Sequence, residues 1–290
     1  LTKPARAVAR AWRAALSAAL PMLLAVAGCA APPVVREAPV AYPPSVRDRI
    51  LRIAEAEWRE WGGLIAGPGL PRLPPGAEGS IEAFPRVLAY WRAVPDAEAE
   101  AAVARNRALW SAQLAGQPGR GVWSDPAWSA AFVSYVMRTA GVDQREFHAS
   151  AAHAFYLDAI LRDAAEFPDR APFIPHDPAA RAPAPGDLIC ADRSSRPLAS
   201  WRERLPEAGE FRPMHCDIVV RVSPGMAEAV GGNVADAVTV TRYATDPAGR
   251  LLPRPPGGAV IFALIENRLG RLPPFQPEPA TAFRLGQRPG

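Results

Sequence analysis

The strongest constraint on the fold is a change of texture near residue 165. Before it the chain is written in helical periods; after it come short β-rich runs separated by turns. Residues 46–61, "VRDRILRIAEAEWREW", set Ile50, Ile53, Ala54, Trp58 and Trp61 on one stripe, and Gly62-Gly63 stops the period. A Gly- and Pro-rich loop at 64–80 leads to a second helical region over about 81–114, broken near Pro95, with Trp91 and Trp110 facing inward. After the loop "GQPGRG", residues 125–141, "DPAWSAAFVSYVMRTAG", read as one helix. Asp125 or Ser124 caps it, Pro126 takes the first position and Gly141 ends it. Trp128, Ala131, Phe132, Tyr135 and Val136 form its core face. A further helix is expected over about 149–164, around "SAAHAFYLDAIL". The runs "PAPGDLICADR", "HCDIVVRV", "MAEAVGGN", "AVTVTRYA" and "GGAVIFALIE" then read as strands. Helices first and strands afterwards predict an α+β domain, its N-terminal helices packed on an antiparallel sheet.

Residues 1–29 stand apart from that domain. Lys3, Arg6, Arg10 and Arg13 precede an apolar run from Ala14 to Ala27, the layout of a secretory leader and short for a membrane-spanning helix. The run ends in "VAGC", which resembles a bacterial lipobox. That resemblance implies cleavage before Cys29, lipidation of its thiol and, with Ala30 following, an outer-membrane lipoprotein facing the periplasm. The alternative is an ordinary secretory leader with an incidental cysteine. Residues 30–45 then form a proline-rich tether, 46–270 the domain and 271–290 a C-terminal tail.

The four basic leader residues account for the whole excess of 33 basic over 29 acidic residues. Without the leader the chain is neutral, which gives no electrostatic footprint for nucleic acid. The 34 prolines signal loops and not disorder, because 49% of the residues are hydrophobic. With Cys29 lipidated, Cys190 and Cys216 are left either as a disulfide or as two buried thiols. The histidines His148, His153, His176 and His215 are scattered, with no close acidic cluster, so no metal or other cofactor is expected. "VGGN" lacks the spacing of a dinucleotide-binding loop.

"WSAAFVSYVMRTAG", "PAPGDLIC", "HCDIVV" and "AVGGN", in that order, resemble the papain-like cell-wall hydrolases of the NlpC and CHAP type. A closer resemblance, over about 46–270, is to the bacterial domain-of-unknown-function family 2272. The papain-like pattern has a nucleophile in a helix's first turn, a histidine on a following strand and a polar group that orients it. Carried over, Ser129 takes the nucleophile's place, His215 the base's and Asn233 the orienting group's. Asp217 rivals Asn233, since residues i and i+2 of a strand share a face, and Asn233 reads equally as a turn residue. Trp128, His153, Tyr156 and Asp187 are candidates to line the cleft, although His153 with Tyr156 also fits core or surface and Asp187 the turn into a strand. Ser129 departs from the pattern, which has cysteine there; a hydroxyl is too weak an acid to be ionised by a helix dipole. The resemblance implies a peptidase or amidase acting on peptidoglycan, or a pseudoenzyme that binds cell-wall peptides or a protein partner in the same cleft.

Overall fold

Helices do precede the sheet. The computed structural model describes residues 36–271, apart from 68, 118–120 and 256. Cys29 and the leader, the first part of the tether and residues 272–290 lie outside the described residues. Five α-helices are described: α1 (Ser45–Glu60), α2 (Phe84–Arg92), α3 (Ala97–Leu114), α4 (Ser129–Thr139) and α5 (His153–Glu166). Two short 3-10 helices cover Ala77–Gly79 and Trp201–Glu207. The strands are β1 (Phe173–His176), β2 (Leu188–Asp192), β3 (Met214–Ser223), β4 (Met226–Gly231), β5 (Thr239–Ala244) and β6 (Val260–Asn267). They make one antiparallel sheet in the order β1-β6-β2-β3-β4-β5, the last strand returning between the first two.

The second helical region divides because Asp96 caps α3, its side chain accepting from Ala99 N; such a cap contributes about 1 kcal/mol. α4 is the central helix, packed on α1, α2, β3 and β4. It starts later than its sequence suggests. Asp125 and Pro126 belong to a turn with a cis peptide bond, tied to α3 where Asn106 donates to Asp125 O and Trp123 N donates to Asn106 Oδ1. Ser129 therefore opens the helix, and Gly141 follows its end at φ +89°. α5 is likewise shorter at its start. The amides of Ala149 and Ser150 are taken by Gln144 Oε1 and Ser134 Oγ, tertiary partners that compete with a helical turn.

The sheet is apolar on both faces. Leu188, Cys190, Cys216, Ile218, Val230 and Ile265 join the helical core. Ile189, Val219, Ala229, Tyr243 and Leu264 form a second cluster with Leu251 from the β5–β6 connection. Cys190 and Cys216 are directly opposed on β2 and β3, with Cα atoms 4.1 Å apart, and are disulfide-bonded. Part of the proline-rich segment is docked. Val40 N and the Tyr42 hydroxyl donate to the two carboxylate oxygens of Glu146, and Arg170 donates to Pro39 O. Among the described residues no helix is long and apolar enough to cross a membrane.

Candidate functional site

Two helix N-termini and the start of β3 converge on one cluster. Ser129 is the first residue of α4 and His153 the first of α5, so each side chain stands at the positive end of a helix dipole. Ser129 Oγ and His153 Nε2 share a 2.6 Å hydrogen bond. The other ring nitrogen, Nδ1, is bonded to Tyr156 Oη at 2.5 Å, one turn along α5. Burial, the neighbouring His215 and Arg193 all hold the His153 pKa well below the ordinary 6.5. Burial, with the charge of Asp217, pushes the Tyr156 phenol well up.

On β3 a second chain of bonds begins. His215 and Asp217 share a face, and His215 Nε2–H donates to Asp217 Oδ1 at 2.6 Å. The Tyr243 hydroxyl, on β5, donates to Asp217 Oδ2 at 2.6 Å. Burial opposes ionisation of this carboxylate, but His215 and the hydroxyls of Tyr243 and Thr241 outweigh it and lower its pKa. The same carboxylate, added to burial, raises the Tyr243 phenol far above its usual value. Because the carboxylate accepts at Nε2, the open ring atom of His215 is Nδ1, which is buried and has no hydrogen-bond partner. The two imidazoles lie edge to face with centroids 5.4 Å apart.

Of the residues singled out in the sequence, Ser129, His153, Tyr156, His215 and Asp217 thus come together. Asp217, and not Asn233, is the residue bonded to the His215 ring. Asn233 sits at φ +56° in the turn after β4, a conformation that asparagine tolerates. Trp128 does not line a cleft: it is fully buried against Trp61 and Tyr90. Asp187 is also fully buried, and accepts from Arg181, Ala184 N and Asn267 N; it ties the entry of β2 to the end of β6. His176 pairs with Glu266 across β1 and β6, and His148 with Gln144. Ser129 and His215 share no direct hydrogen bond, and Ser129 is only 6% exposed. Tyr243, Thr241 and Gly231 carry no local sequence signal, because only strand register brings them to Asp217. Among the described residues no group of three or more His, Cys, Asp or Glu side chains could hold a metal ion.

Fold and site together define an α+β protein whose helix-borne serine is bonded to one histidine, which packs edge to face on a second that is paired with a carboxylate. The chain belongs to the DUF2272 family, described as an uncharacterized protein conserved in bacteria, whose model matches residues 78–265. No curated protein and no solved structure matches it.

Proposed function

We propose that this protein hydrolyses amide or peptide bonds of peptidoglycan, with Ser129 as nucleophile, His215 as general base and Asp217 as its orienting partner. The observation that carries the reading is the state of His215. Its Nε2 is hydrogen-bonded to the Asp217 carboxylate, and its Nδ1 is buried with no hydrogen-bond partner, in a ring that packs edge to face on the histidine bonded to Ser129. A base in that state has one open coordination, suited to a hydroxyl proton. The cell-wall substrate and a papain-like fold rest on the resemblance of "WSAAFVSYV", "PGDL" and "HCDIVV" to cell-wall hydrolases. Attachment through Cys29 to the outer membrane, facing the periplasm, rests on "VAGC".

A second reading is favoured by the near-complete burial of Ser129 and by its weak acidity: a pseudoenzyme that binds cell-wall peptides or a protein partner. The test is fluorophosphonate labelling of the full chain together with digestion of purified sacculi. Labelling of Ser129 that disappears in His215→Ala, with release of muropeptides, supports hydrolysis. Sacculus binding without either supports the pseudoenzyme, and neither binding nor release removes the cell-wall reading.

A further inference from the structure

The papain-like pattern accounts for Ser129, His215 and Asp217, but leaves unexplained the histidine that touches the serine. His153 is bonded at both ring nitrogens, to Ser129 Oγ and Tyr156 Oη, and a neutral imidazole has one proton to share between them. Consider first a proton on Nδ1. The ring then donates to Tyr156, the serine hydroxyl donates to Nε2, and the Tyr156 hydroxyl proton is left with no acceptor in a side chain of 0% exposure. With the proton on Nε2, the Tyr156 hydroxyl donates to Nδ1 and the ring donates to Ser129 Oγ. The displaced proton is now that of Ser129, the less buried of the two residues. An unmatched buried donor costs about 1–3 kcal/mol, so the Nε2–H tautomer is favoured.

That tautomer leaves two unmatched atoms in the cluster, and they are complementary. The Ser129 proton lacks an acceptor, and His215 Nδ1 lacks a donor. His153 has the opposite character to a base. It opens a helix, where the dipole disfavours an imidazolium, and burial and Arg193 add to that effect. A buried neutral histidine at a helix N-terminus is suited to donating a hydrogen bond to an oxygen that gains charge.

We propose that His153 is a catalytic hydrogen-bond donor, fixed as the Nε2–H tautomer by Tyr156, which aligns Ser129 Oγ and then stabilises the oxygen of the scissile carbonyl. This assignment rests on the hydrolase reading. In the step it describes, the Oγ–carbon bond forms as the Ser129 proton passes to His215 Nδ1. The carbonyl π pair moves onto oxygen, which takes over the Nε2–H of His153. Collapse restores the carbonyl and breaks the carbon–nitrogen bond, and the His215 proton leaves with the amine. His153 stays neutral throughout, and Tyr156 is a positioning residue acting through it.

The test has an arm that does not depend on activity. Nitrogen-15 NMR of the His153 ring in the full chain is expected to show a protonated Nε2 and an unprotonated Nδ1 from about pH 6 to 8. A proton on Nδ1, or a doubly protonated ring, overturns the proposal. Tyr156→Phe is expected to leave the ring as a mixture of tautomers; an unchanged ring removes the role given to Tyr156. In fluorophosphonate labelling, His153→Gln, which keeps an N–H donor and cannot act as a base, is expected to stay within about tenfold of the unmodified chain. His153→Ala is expected to fall by about 10²–10³, the effect of losing one such donor. Equal loss in both variants would identify His153 as a base and refute the donor role. If the unmodified chain is not labelled at all, the hydrolase reading fails, and the NMR arm still decides whether His153 donates to Ser129.

Discussion

Gly231 ends β4 so close to Asp217 that a Cβ on it would lie 1.8 Å from Asp217 Oδ1 and 2.9 Å from His215 Nε2. The glycine is required here for space and not for backbone conformation, since its φ is outside the left-handed region. The volume a methyl would fill is the volume of the His215–Asp217 hydrogen bond. Gly231→Ala is therefore expected to cost about 1–3 kcal/mol of stability, the range for overpacking. It is also expected to abolish Ser129 labelling in the protein that remains folded. Thermal unfolding and labelling, measured on the same sample, separate the two effects; full labelling would mean that the pair is not needed.

Asp217→Asn preserves the shape of the pair and removes its charge. An amide can present its N–H to His215 Nε2, which would drive the ring proton to Nδ1 and close the open lone pair. Labelling of Ser129 is expected to fall by about 10³–10⁴, as for the loss of a triad carboxylate. Tyr243→Phe removes one of the donors that keep Asp217 ionised, and a smaller loss, about tenfold, is expected. A Tyr243→Phe loss as large as that of Asp217→Asn would give the phenol a role beyond holding the carboxylate.

The elements that the sequence made legible are those whose signal is local. Ile50 and Ala54 at helical spacing mark α1, and "HCDIVV" marks β3 with His215 and Asp217 on one face. The contact between Ser129 and His153 has no such signal, because it requires two helix starts, 24 residues apart, to meet in space. His153 and Tyr156 at i and i+3 hint at a pair but not at what lies beyond it. Tyr243 and Gly231 depend on register across β3, β4 and β5, including the irregularity between Val219 and Arg221. β1, "FIPH", is four residues long with a proline, so neither alternation nor propensity announces it; its pairing with β6 does. The misplaced start of α4 has the same origin. Asp125 and Pro126 obey helix-start grammar, yet the Asp125 carbonyl accepts from Asn106 of α3 and its exposed carboxylate pairs with Arg105.

Glu266 gives a stability prediction with a defined pH window. Burial works against its charge, but His176, Arg181, Arg268 and Arg271 surround it and hold its pKa at about 2, against an ordinary 4.5. A carboxyl depressed in the folded state contributes stability above its unfolded pKa and loses that contribution as pH falls through the folded value. The stability lost in Glu266→Gln is therefore expected to be constant above about pH 4.5 and to shrink toward about pH 2. Urea unfolding of both proteins across that range checks it; a difference that does not vary with pH would assign the effect to packing.

The Cys190–Cys216 bond joins neighbouring strands across a separation of 26 residues. Closing a loop of that length restricts the unfolded chain by about 3–4 kcal/mol on the chain-entropy account. Since β2 and β3 are already paired, reduction should leave the sheet intact while lowering the urea midpoint. Because Cys216 follows His215 directly but faces the helical core, labelling of Ser129 should survive reduction below that midpoint. Loss of labelling in folded, reduced protein would show that the bridge also positions His215.

Glu78 makes the opposite pH prediction to Glu266. It is 1% exposed, its Oε2 has no hydrogen-bond partner, and burial, with Asp236 nearby, pushes its carboxyl up to about 7. An acid with a raised folded pKa binds more protons in the folded state between the two values, so its contribution is complete below about 4.5 and is lost as pH rises through about 7. Glu78→Gln stays neutral throughout and is expected to become the more stable protein above about pH 7, by an amount that vanishes at pH 4.5 and below. Paired unfolding curves at pH 5 and pH 8 measure the effect. A variant less stable at both would mean that the charged carboxylate has a partner the fold depends on.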